Sequence, residues 1–440
     1  MKLPWRTRMI ALRSMLPLAV LVASFASCAT NVDGGPIDDD RTSPVPGPDV
    51  EAGVLDAGCD GDDCRGVVPS CANVSWCMVE TPVTPIHALT SVWGASKDDV
   101  WAVGSGGSII HFDGAVWTAT PSGHQQTLYG VWGSGPNDIW VVSSTDLILH
   151  GTGFKDGAAA WEKVTAWGPT YEVPSRRGRT LAVWGTSASD VRIGGSAFDF
   201  SATAVPWEEW DESTDFLFVG RGNQLVKRAA NDVAVWRPLP GRHTIKSIWG
   251  SSATDVWMTG EITAGDDLGR GVTLHGRPYG GCRPHPNVPA NADLCLNCDP
   301  GCSGCAIMDD ALEWTVVDSQ TSALLESVWG SSASDVWAVG VHGTIRRIQT
   351  GDARWQKIES PTTKTLHGVW GSGPNDIWMV GDDATILHFD GSKLEPSSVQ
   401  LPVGFKPHLR GVWGSGPNDV WIVGDGVVLR YSGPKAGGDE

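Results

Sequence analysis

The stretch GVWGSGPNDIW occupies residues 130–140, returns unchanged at 368–378, and returns with one substitution, as GVWGSGPNDVW, at 411–421. Looser copies bring the number of repeats to seven. Every copy has a Trp followed by Gly and an Asp six residues after that Trp, and six copies have a second Trp two residues after the Asp. Internal repeats with a period of about 40 residues are typical of solenoids and propellers.

The repeated positions are as follows. The first Trp residues are Trp93, Trp132, Trp184, Trp249, Trp329, Trp370 and Trp413. The Asp residues are Asp99, Asp138, Asp190, Asp255, Asp335, Asp376 and Asp419. The second Trp residues are Trp101, Trp140, Trp257, Trp337, Trp378 and Trp421, and Arg192 takes this place in the third copy.

Each repeat predicts four short β-strands. LYGVWG (128–133) is rich in strand-forming residues, SGPND (134–138) has turn chemistry, and IWVV (139–142) is a second strand. A third strand such as TILHFDG (385–391) follows a Gly-rich turn, and a fourth opens on Trp, as in WTATP (117–121). Seven such units predict an all-β fold, a seven-bladed β-propeller.

The two ends of the repeat region predict how the ring closes. The seventh copy stops at VVLRYSG (427–433), after three strands, whereas VSWCMVETP (74–82) stands ahead of the first copy like a fourth strand without its blade. Trp76 then takes the position that Trp117 and Trp355 have in their own blades. We therefore expect the N-terminal strand to complete the last blade, which removes the exposed sheet edges.

The repeated phrase is interpreted as structural. The two Trp residues of each copy should lie on adjacent strands and bury apolar area between blades. The Gly suits a tight turn, and the Asp is expected to end that turn and to bond its backbone. A ring of seven Asp residues that bind metal or act in catalysis is the alternative, but a turn explains an Asp in every blade.

The N-terminus predicts export. Lys2, Arg6, Arg8 and Arg13 precede an apolar run at 15–25 that is too short to span a bilayer, and FASC (25–28) follows. FASC resembles the lipobox of bacterial lipoproteins, which implies a signal peptide at 1–27 and lipidation of Cys28 at, we expect, the outer membrane. An ordinary secretory signal is the alternative.

The domain organisation follows from these boundaries. Residues 28–73 read as a flexible acidic tether that contains cysteines, residues 74–433 as the propeller, and residues 434–440 as a disordered tail. Insertions at 196–223 and 276–311 interrupt blades three and four. The net charge of −18 disfavours nucleic acid as a partner.

Residues 89–118 resemble the Asp-box or neuraminidase-type propeller repeat, closest to the version found in photosystem II assembly factors. Asp113, Gly114 and Trp117 form a shortened Asp-box. Similar repeats occur in predicted secreted lipoproteins of myxobacteria-like organisms. The resemblance implies the propeller fold over roughly 74–432. It implies no activity, because the arginine cluster and nucleophilic Tyr of sialidases cannot be placed in this sequence.

Two sets of residues are binding candidates because they break the repeat. The position three before the first Trp varies, whereas its neighbours do not, and strand alternation would place it at the mouth of the channel. Its occupants are Thr90, Tyr129, Leu181, Lys246, Glu326, His367 and Arg410. Trp167, Trp207 and Trp210 are the Trp residues of the exported chain outside the repeat register, and they fall in long loops. The alternative for the first set is simple solvent exposure. The alternative for the second set is that the Trp residues pack within their own loops.

Two further patterns have structural interpretations. Nine cysteines besides Cys28 are disulfide candidates, since export favours oxidation over zinc binding: Cys59, Cys64, Cys71, Cys77, Cys282, Cys295, Cys298, Cys302 and Cys305. The third strand of each blade carries a basic or His residue, which indicates a packing or ion-pair role within blades rather than catalysis: His111, His150, Lys227, His275, Arg347, His388 and Arg430.

Three functions remain open on the sequence. The first is a non-enzymatic binding or scaffold lipoprotein, on the surface or in the periplasm, which presents a propeller face to a protein or polysaccharide and needs no metal or other cofactor. The second is a glycan-acting hydrolase of sialidase-like architecture, with rim carboxylates such as Glu208, Glu209 or Asp211. A hydrolase needs two carboxylates about 5–10 Å apart across a pocket, which adjacent residues on one loop do not supply. The third is a periplasmic assembly factor.

Overall fold

The computed structural model describes residues 74–143, 147–164, 179–188, 190–195, 218–221, 224–227, 243–263, 266–278, 283–284, 305–306 and 312–434. All of them belong to one compact unit, Arg65–Glu440. The predicted signal peptide, lipidation site and tether lie outside the described residues, as do residues 435–440 of the predicted tail and Trp167, Trp207 and Trp210.

Within the described residues, seven four-stranded antiparallel sheets form the blades. Six of them follow chain order from first to fourth strand, and the seventh takes β1 as its fourth strand. Blade 1 contains β2 (Leu89–Ser96), β3 (Asp99–Gly104), β4 (Ile109–Phe112) and β5 (Trp117–Ala119). Blade 2 contains β6 (Leu128–Gly135), β7 (Asp138–Ser143), β8 (Ile148–Lys155) and β9 (Ala158–Val164). Blade 3 contains β10 (Thr180–Ser187), β11 (Asp190–Gly195), β12 (Phe218–Arg221) and β13 (Gln224–Lys227). Its third strand, β12, lies inside the predicted insertion at 196–223, and Lys227 lies on the fourth strand rather than on the third as expected.

The remaining blades repeat this order. Blade 4 contains β14 (His243–Ser252), β15 (Asp255–Ile262), β16 (Gly271–Pro278) and β19 (Leu312–Val316). Blade 5 contains β20 (Leu325–Ser332), β21 (Asp335–Gly340), β22 (Ile345–Gln349) and β23 (Gln356–Ile358). Blade 6 contains β24 (Leu366–Gly373), β25 (Asp376–Gly381), β26 (Ile386–Phe389) and β27 (Leu394–Pro396). Blade 7 contains β28 (Leu409–Gly416), β29 (Asp419–Gly424), β30 (Val427–Tyr431) and β1 (Trp76–Met78).

Short elements lie between the blade strands. Two 3-10 turns, Ser105–Gly107 and Val341–Gly343, join second to third strands, and β17 (Arg283–Pro284) pairs with β18 (Cys305–Ala306) inside the insertion of blade 4. Among the described residues, no helix has the length and apolar character needed to cross a membrane. The prediction of an all-β, seven-bladed propeller is confirmed.

Ring closure by the N-terminal strand is also confirmed. Strand β1 pairs with β30 in the register Trp76↔Tyr431, Cys77↔Arg430 and Met78↔Leu429. The Trp76 side chain is buried, and its indole N–H donates to Ser397 Oγ at 3.1 Å. The last blade therefore takes its outermost strand from the start of the domain.

The first strand of each blade is the innermost one. The N–H of Val131 in blade 2 donates to Ser91 Oγ in blade 1 at 3.3 Å, and the N–H of Val328 in blade 5 donates to Ser247 Oγ in blade 4 at 3.2 Å. In blade 7 the residue two before the first Trp is Gly411, and a Cβ added there would lie 3.2 Å from the Cα of Ser91 in blade 1. First strands therefore abut around the axis, which explains the Gly, Ala or Ser two residues before each first Trp.

The Gly after each first Trp suits the tight turn, as expected, since a Cβ there would lie 2.1–3.0 Å from the backbone oxygen of the repeated Asp. It has a second role that was not expected, because it also receives the Trp of the preceding blade. A Cβ added at any of these seven Gly residues would lie 2.5–2.8 Å from the Cη2 atom of that Trp. The pairs are Trp93–Gly133, Trp132–Gly185, Trp184–Gly250, Trp249–Gly330, Trp329–Gly371, Trp370–Gly414 and Trp413–Gly94. The seventh pair joins blade 7 to blade 1, so one contact links every blade to the next.

A second set of Trp contacts lies further from the axis. The fourth-strand Trp of one blade meets the second Trp of the preceding blade edge to face, at ring-centroid distances of 5.2–5.5 Å. The pairs are Trp117–Trp421, Trp161–Trp101, Trp355–Trp257 and Trp76–Trp378. Trp76 thus makes the contact that Trp117 and Trp355 make, as the sequence predicted. Edge-to-face geometry is favourable for aromatic pairs.

Filling one inter-blade contact should destabilise the propeller. We expect Gly371→Ala to lower the free energy of unfolding by about 1–3 kcal/mol, because the new methyl group overlaps Trp329 and the backbone oxygen of Asp376. Gly373→Ala is the matched control, since a Cβ there meets nothing within 4 Å. Denaturant unfolding of both variants would measure the difference, and equal stabilities would contradict the contact.

Removal of β1 should open the ring. We compare a chain that begins at residue 74 and carries Cys77→Ser with a chain that begins at residue 79, so that neither holds an unpaired thiol at position 77. We expect the longer chain to be monomeric and the shorter chain to aggregate, because it exposes the edge of β30 and removes Trp76. Light scattering measures this, and two equally monodisperse chains would show that closure does not depend on β1.

Candidate functional site

The repeated Asp is a side-chain hydrogen-bond centre in each blade. In blade 2, Oδ1 of Asp138 lies 2.7 Å from Nε2 of His150 on the third strand and accepts the indole N–H of Trp140 at 3.1 Å. Oδ2 accepts the hydroxyl of Ser134 at 2.5 Å. The expectation that this Asp bonds the turn backbone is therefore replaced by bonds to three side chains. These bonds join the first, second and third strands.

The third-strand residue completes this centre, and the predicted packing or ion-pair role is confirmed in six blades. Blades 1, 2, 4 and 6 place His 2.6–2.7 Å from the Asp, and blades 5 and 7 place Arg there. The same side chain lies over the second Trp. The ring centroids of His388 and Trp378 are 3.9 Å apart, and Cζ of Arg347 lies 4.6 Å from the ring centroid of Trp337. In blade 3 the Nε of Arg192, which replaces the Trp, donates to Asp190 at 3.1 Å.

The Asp centres of blades 2, 4 and 6 stabilise the fold through their ionised form. Burial acts to raise the pKa of Asp376, but hydrogen bonds from His388 and Ser372 outweigh it and hold the pKa below the ordinary value of 3.8. The pKa values of Asp138 and Asp255 are lowered for the same reasons. This contribution is therefore fully present above pH 3.8 and is lost as pH falls through the lowered pKa.

Exchange of His for Arg tests the assigned role. We expect His388→Arg to retain most of the stability, because Arg347 and Arg430 serve the adjacent blades in the same way. His388→Leu should cost about 1–3 kcal/mol, because it leaves a half-buried carboxylate without its main donor. Thermal denaturation compares the two variants, and equal losses would show that the position matters only for packing.

The variable position three before each first Trp is a β-bulge in all seven blades. In blade 1, Leu89 pairs with Gly104 and Ser91 pairs with Val103, so Thr90 is the extra residue; the other six blades have the same register shift. The bulge breaks the strict alternation on which the prediction of a shared face rested. A bulged residue is not tied to a cross-strand partner and can be re-aimed. This explains how the position varies while its neighbours repeat.

All seven bulge side chains are half-buried on the innermost strands, at the end opposite the Asp centres. We call this end of the propeller the mouth face, and it also carries the loops between second and third strands. We call the opposite end, which holds the Asp centres, the turn face. Simple solvent exposure of the bulge positions is therefore excluded. Blades 1–3 present the uncharged Thr90, Tyr129 and Leu181, whereas blades 4–7 present Lys246, Glu326, His367 and Arg410.

The charged bulge residues are held in ion pairs. Lys246 Nζ reaches across from blade 4 to both carboxylate oxygens of Glu326 in blade 5, at 2.7 and 2.9 Å. In blade 7, Arg410 donates from Nε to Oδ1 of Asp425 at 2.6 Å and from Nη2 to Oδ2 at 3.2 Å. The mouth therefore presents ordered charges in fixed positions.

Blade 6 holds a cluster that the sequence analysis missed. Oδ1 of Asp382 lies 2.7 Å from Nε2 of His367 and 2.7 Å from Nδ1 of His408, the latter just ahead of blade 7. Burial raises the pKa of Asp382, but hydrogen bonds from both imidazoles lower it to a net value below 3.8. Asp382 and Asp425 both stand twelve residues after a first Trp and immediately after a Gly. The residue at this position differs between blades, and that variation was the signal in the sequence that could have revealed the cluster.

Other predicted site residues have mixed outcomes. Cys77 is buried in β1 and takes part in a disulfide bond. The side chains of the other eight candidate cysteines lie outside the described part of the chain, and their pairing stays a prediction. The Trp167, Trp207 and Trp210 hypothesis is likewise not tested. Within the described ranges, no three His, Cys, Asp or Glu side chains are arranged to hold a metal ion.

Comparison with known proteins supports the fold. No family model matches the chain, and no curated protein matches it. YCF48 bound to a D1 peptide is similar, with a TM-score of 0.53 and 14% identity, over 83% of this chain and 98% of that one. YCF48 from Cyanidioschyzon merolae is similar with a TM-score of 0.52 and 15% identity, over 81% and 99%. The chain is a β-propeller repeat protein.

Proposed function

We propose that this protein is a non-enzymatic binding or scaffold protein that presents the mouth face of its propeller to a polypeptide partner. The observation that carries the proposal is the bulge in every blade, which places a variable side chain on an otherwise repeated scaffold. The repeated Trp, Gly and Asp residues are occupied in holding the blades together. The bulge position is where sequence changes without altering those contacts, so the mouth is where recognition can be specified.

A protein partner is favoured over a polysaccharide. The mouth offers fixed ion pairs beside the half-buried ring of Tyr129, and such ordered charges suit the charged and amide groups of a polypeptide. A propeller of the same fold, YCF48, is described as bound to a D1 peptide. An assembly factor, which must hold another polypeptide, is one form of this function. The sequence resemblance to photosystem II assembly factors supports that form.

We further propose that the protein is exported and held at the outer membrane by a lipid on Cys28. The basic segment, the short apolar run and FASC at 25–28 support this. Strand β1 begins at the turn face, because Trp76 pairs with Tyr431 at the end of β30. The chain therefore enters the propeller from the side opposite the mouth, which leaves the mouth open to a partner.

Site-specific photo-cross-linking tests the proposed face. A photoreactive residue replaces Tyr129 at the mouth or, as the matched control, Asn137 on the turn face of the same blade. We expect discrete polypeptide adducts from position 129 in intact cells and none from position 137. Adducts from position 137 alone, or adducts that glycosidases but not proteases remove, would overturn the proposal.

A further inference from the structure

Three independent features meet at one part of the mouth face, between blades 6, 7 and 1. We call it the hairpin corner, defined by the second-to-third-strand hairpins at 381–386 and 424–427 and the loops at 79–88 and 397–408. The N–H of Asp425 donates to the carbonyl of His408 at 3.0 Å, and the N–H of Gly426 donates to the carbonyl of His87 at 3.1 Å. Both loops therefore rest on one hairpin and hold a common surface.

The first feature is a layering of charge. At this corner the basic side chains are more exposed than the carboxylates that they pair with: His408 is 48% exposed against 27% for Asp382, and Arg410 is 36% exposed against 33% for Asp425. Lys406 is exposed, and Lys364 bonds Asp383 beside it. The carboxylates fix the positions of the cations while the cations face solvent. This is an unusual surface for a chain with a net charge of −18.

The second feature is backbone strain in the hairpin of blade 6. Asp383 and Ala384 both adopt left-handed conformations, with φ of 55° and 56°. Blades 1 and 5 place Gly107 and Gly343 at the second of these positions. A residue with a Cβ pays a conformational cost there, and such strain is concentrated at functional sites. The N–H of Ala384 donates to the carbonyl of Pro407 at 2.7 Å, so the strained turn also fixes the loop that carries Lys406 and His408.

The third feature is exposed aliphatic surface on both flanking loops. Ile86 is 90% exposed and Val403 is fully exposed, and they are two of the five large apolar side chains that stand in solvent among the described residues. They lie on the two loops that the hairpin at 424–427 holds together. Aliphatic groups beside basic side chains fit a peptide that is both acidic and apolar.

We propose that the hairpin corner binds a partner polypeptide segment that carries an acidic side chain next to a bulky aliphatic one. The carboxylate pairs with Lys406, His408 and Arg410, and the aliphatic side chain packs on Val403 or Ile86. This inference rests on the proposed function and adds the location and the chemistry of the recognised segment. Charge complementarity selects the acidic residue, and apolar contact excludes water from the ion pair.

A peptide array tests the inference. The probe is the mature chain with Cys28→Ser, applied to 15-residue peptides whose acidic, basic and aliphatic contents vary independently. We expect binding to peptides that combine acidic and aliphatic residues. Lys406→Glu with Val403→Asp should weaken binding to the best peptide at least tenfold. Both side chains are exposed, so the fold should be unaffected.

A matched control variant carries the same two types of substitution, Lys to Glu and Val to Asp, on the turn face. Lys393→Glu with Val116→Asp makes the same chemical changes in third-to-fourth-strand hairpins, and we expect unchanged affinity. Three results would contradict binding at the hairpin corner without contradicting the mouth-face function. These are equal losses of affinity in both variants, no loss of affinity in the corner variant, and a preference for basic peptides. If the array captures no peptide and Tyr129 yields no adduct, both proposals fail.

Discussion

The close contact between a Trp ring of one blade and the Gly backbone of the next is the constraint on which the propeller depends. An indole that lies 2.5–2.8 Å from where a Cβ would stand leaves room for no residue but Gly. The contact recurs seven times around the ring, from Trp93–Gly133 to Trp413–Gly94. Because each blade supplies a ring to one neighbour and a Gly to the other, identical phrases are required in every blade.

The Trp–Gly contact joins neighbouring blades, whereas the Asp centre joins the strands within a blade. One carboxylate accepts bonds from the first, second and third strands, so it fixes the three inner strands as a unit. His and Arg are interchangeable as its partner, since both donate to the carboxylate and both lie on the second Trp. Together, the Trp–Gly contact and the Asp centre account for most of the repeated letters. The bulge position contributes to neither, and it is free to differ between blades.

The sequence predicted the number of blades, the four strands in each, and the closure by Trp76, because these depend on periodic patterns that are local in the chain. It missed that the repeated Gly also receives a Trp, because the partner of Gly133 is Trp93, about one repeat away, and periodicity does not reveal which blades touch. The bulge at Thr90 was also missed, since one extra residue in a strand of eight leaves no mark on composition. The pairing of Asp382 with His367 and His408 joins two blades and appears only once the ring is built.

The separation between scaffold positions and the bulge position is the central claim of this account. A substitution scan of the propeller, with protease resistance as the measure of folding, tests it most directly. The account predicts that most substitutions are tolerated at Tyr129, Lys246, His367 and the other bulge positions, provided that ion-pair partners are changed together. It predicts that every substitution at the seven Gly residues after the first Trp lowers protease resistance. A bulge position as intolerant as those Gly residues would contradict the account.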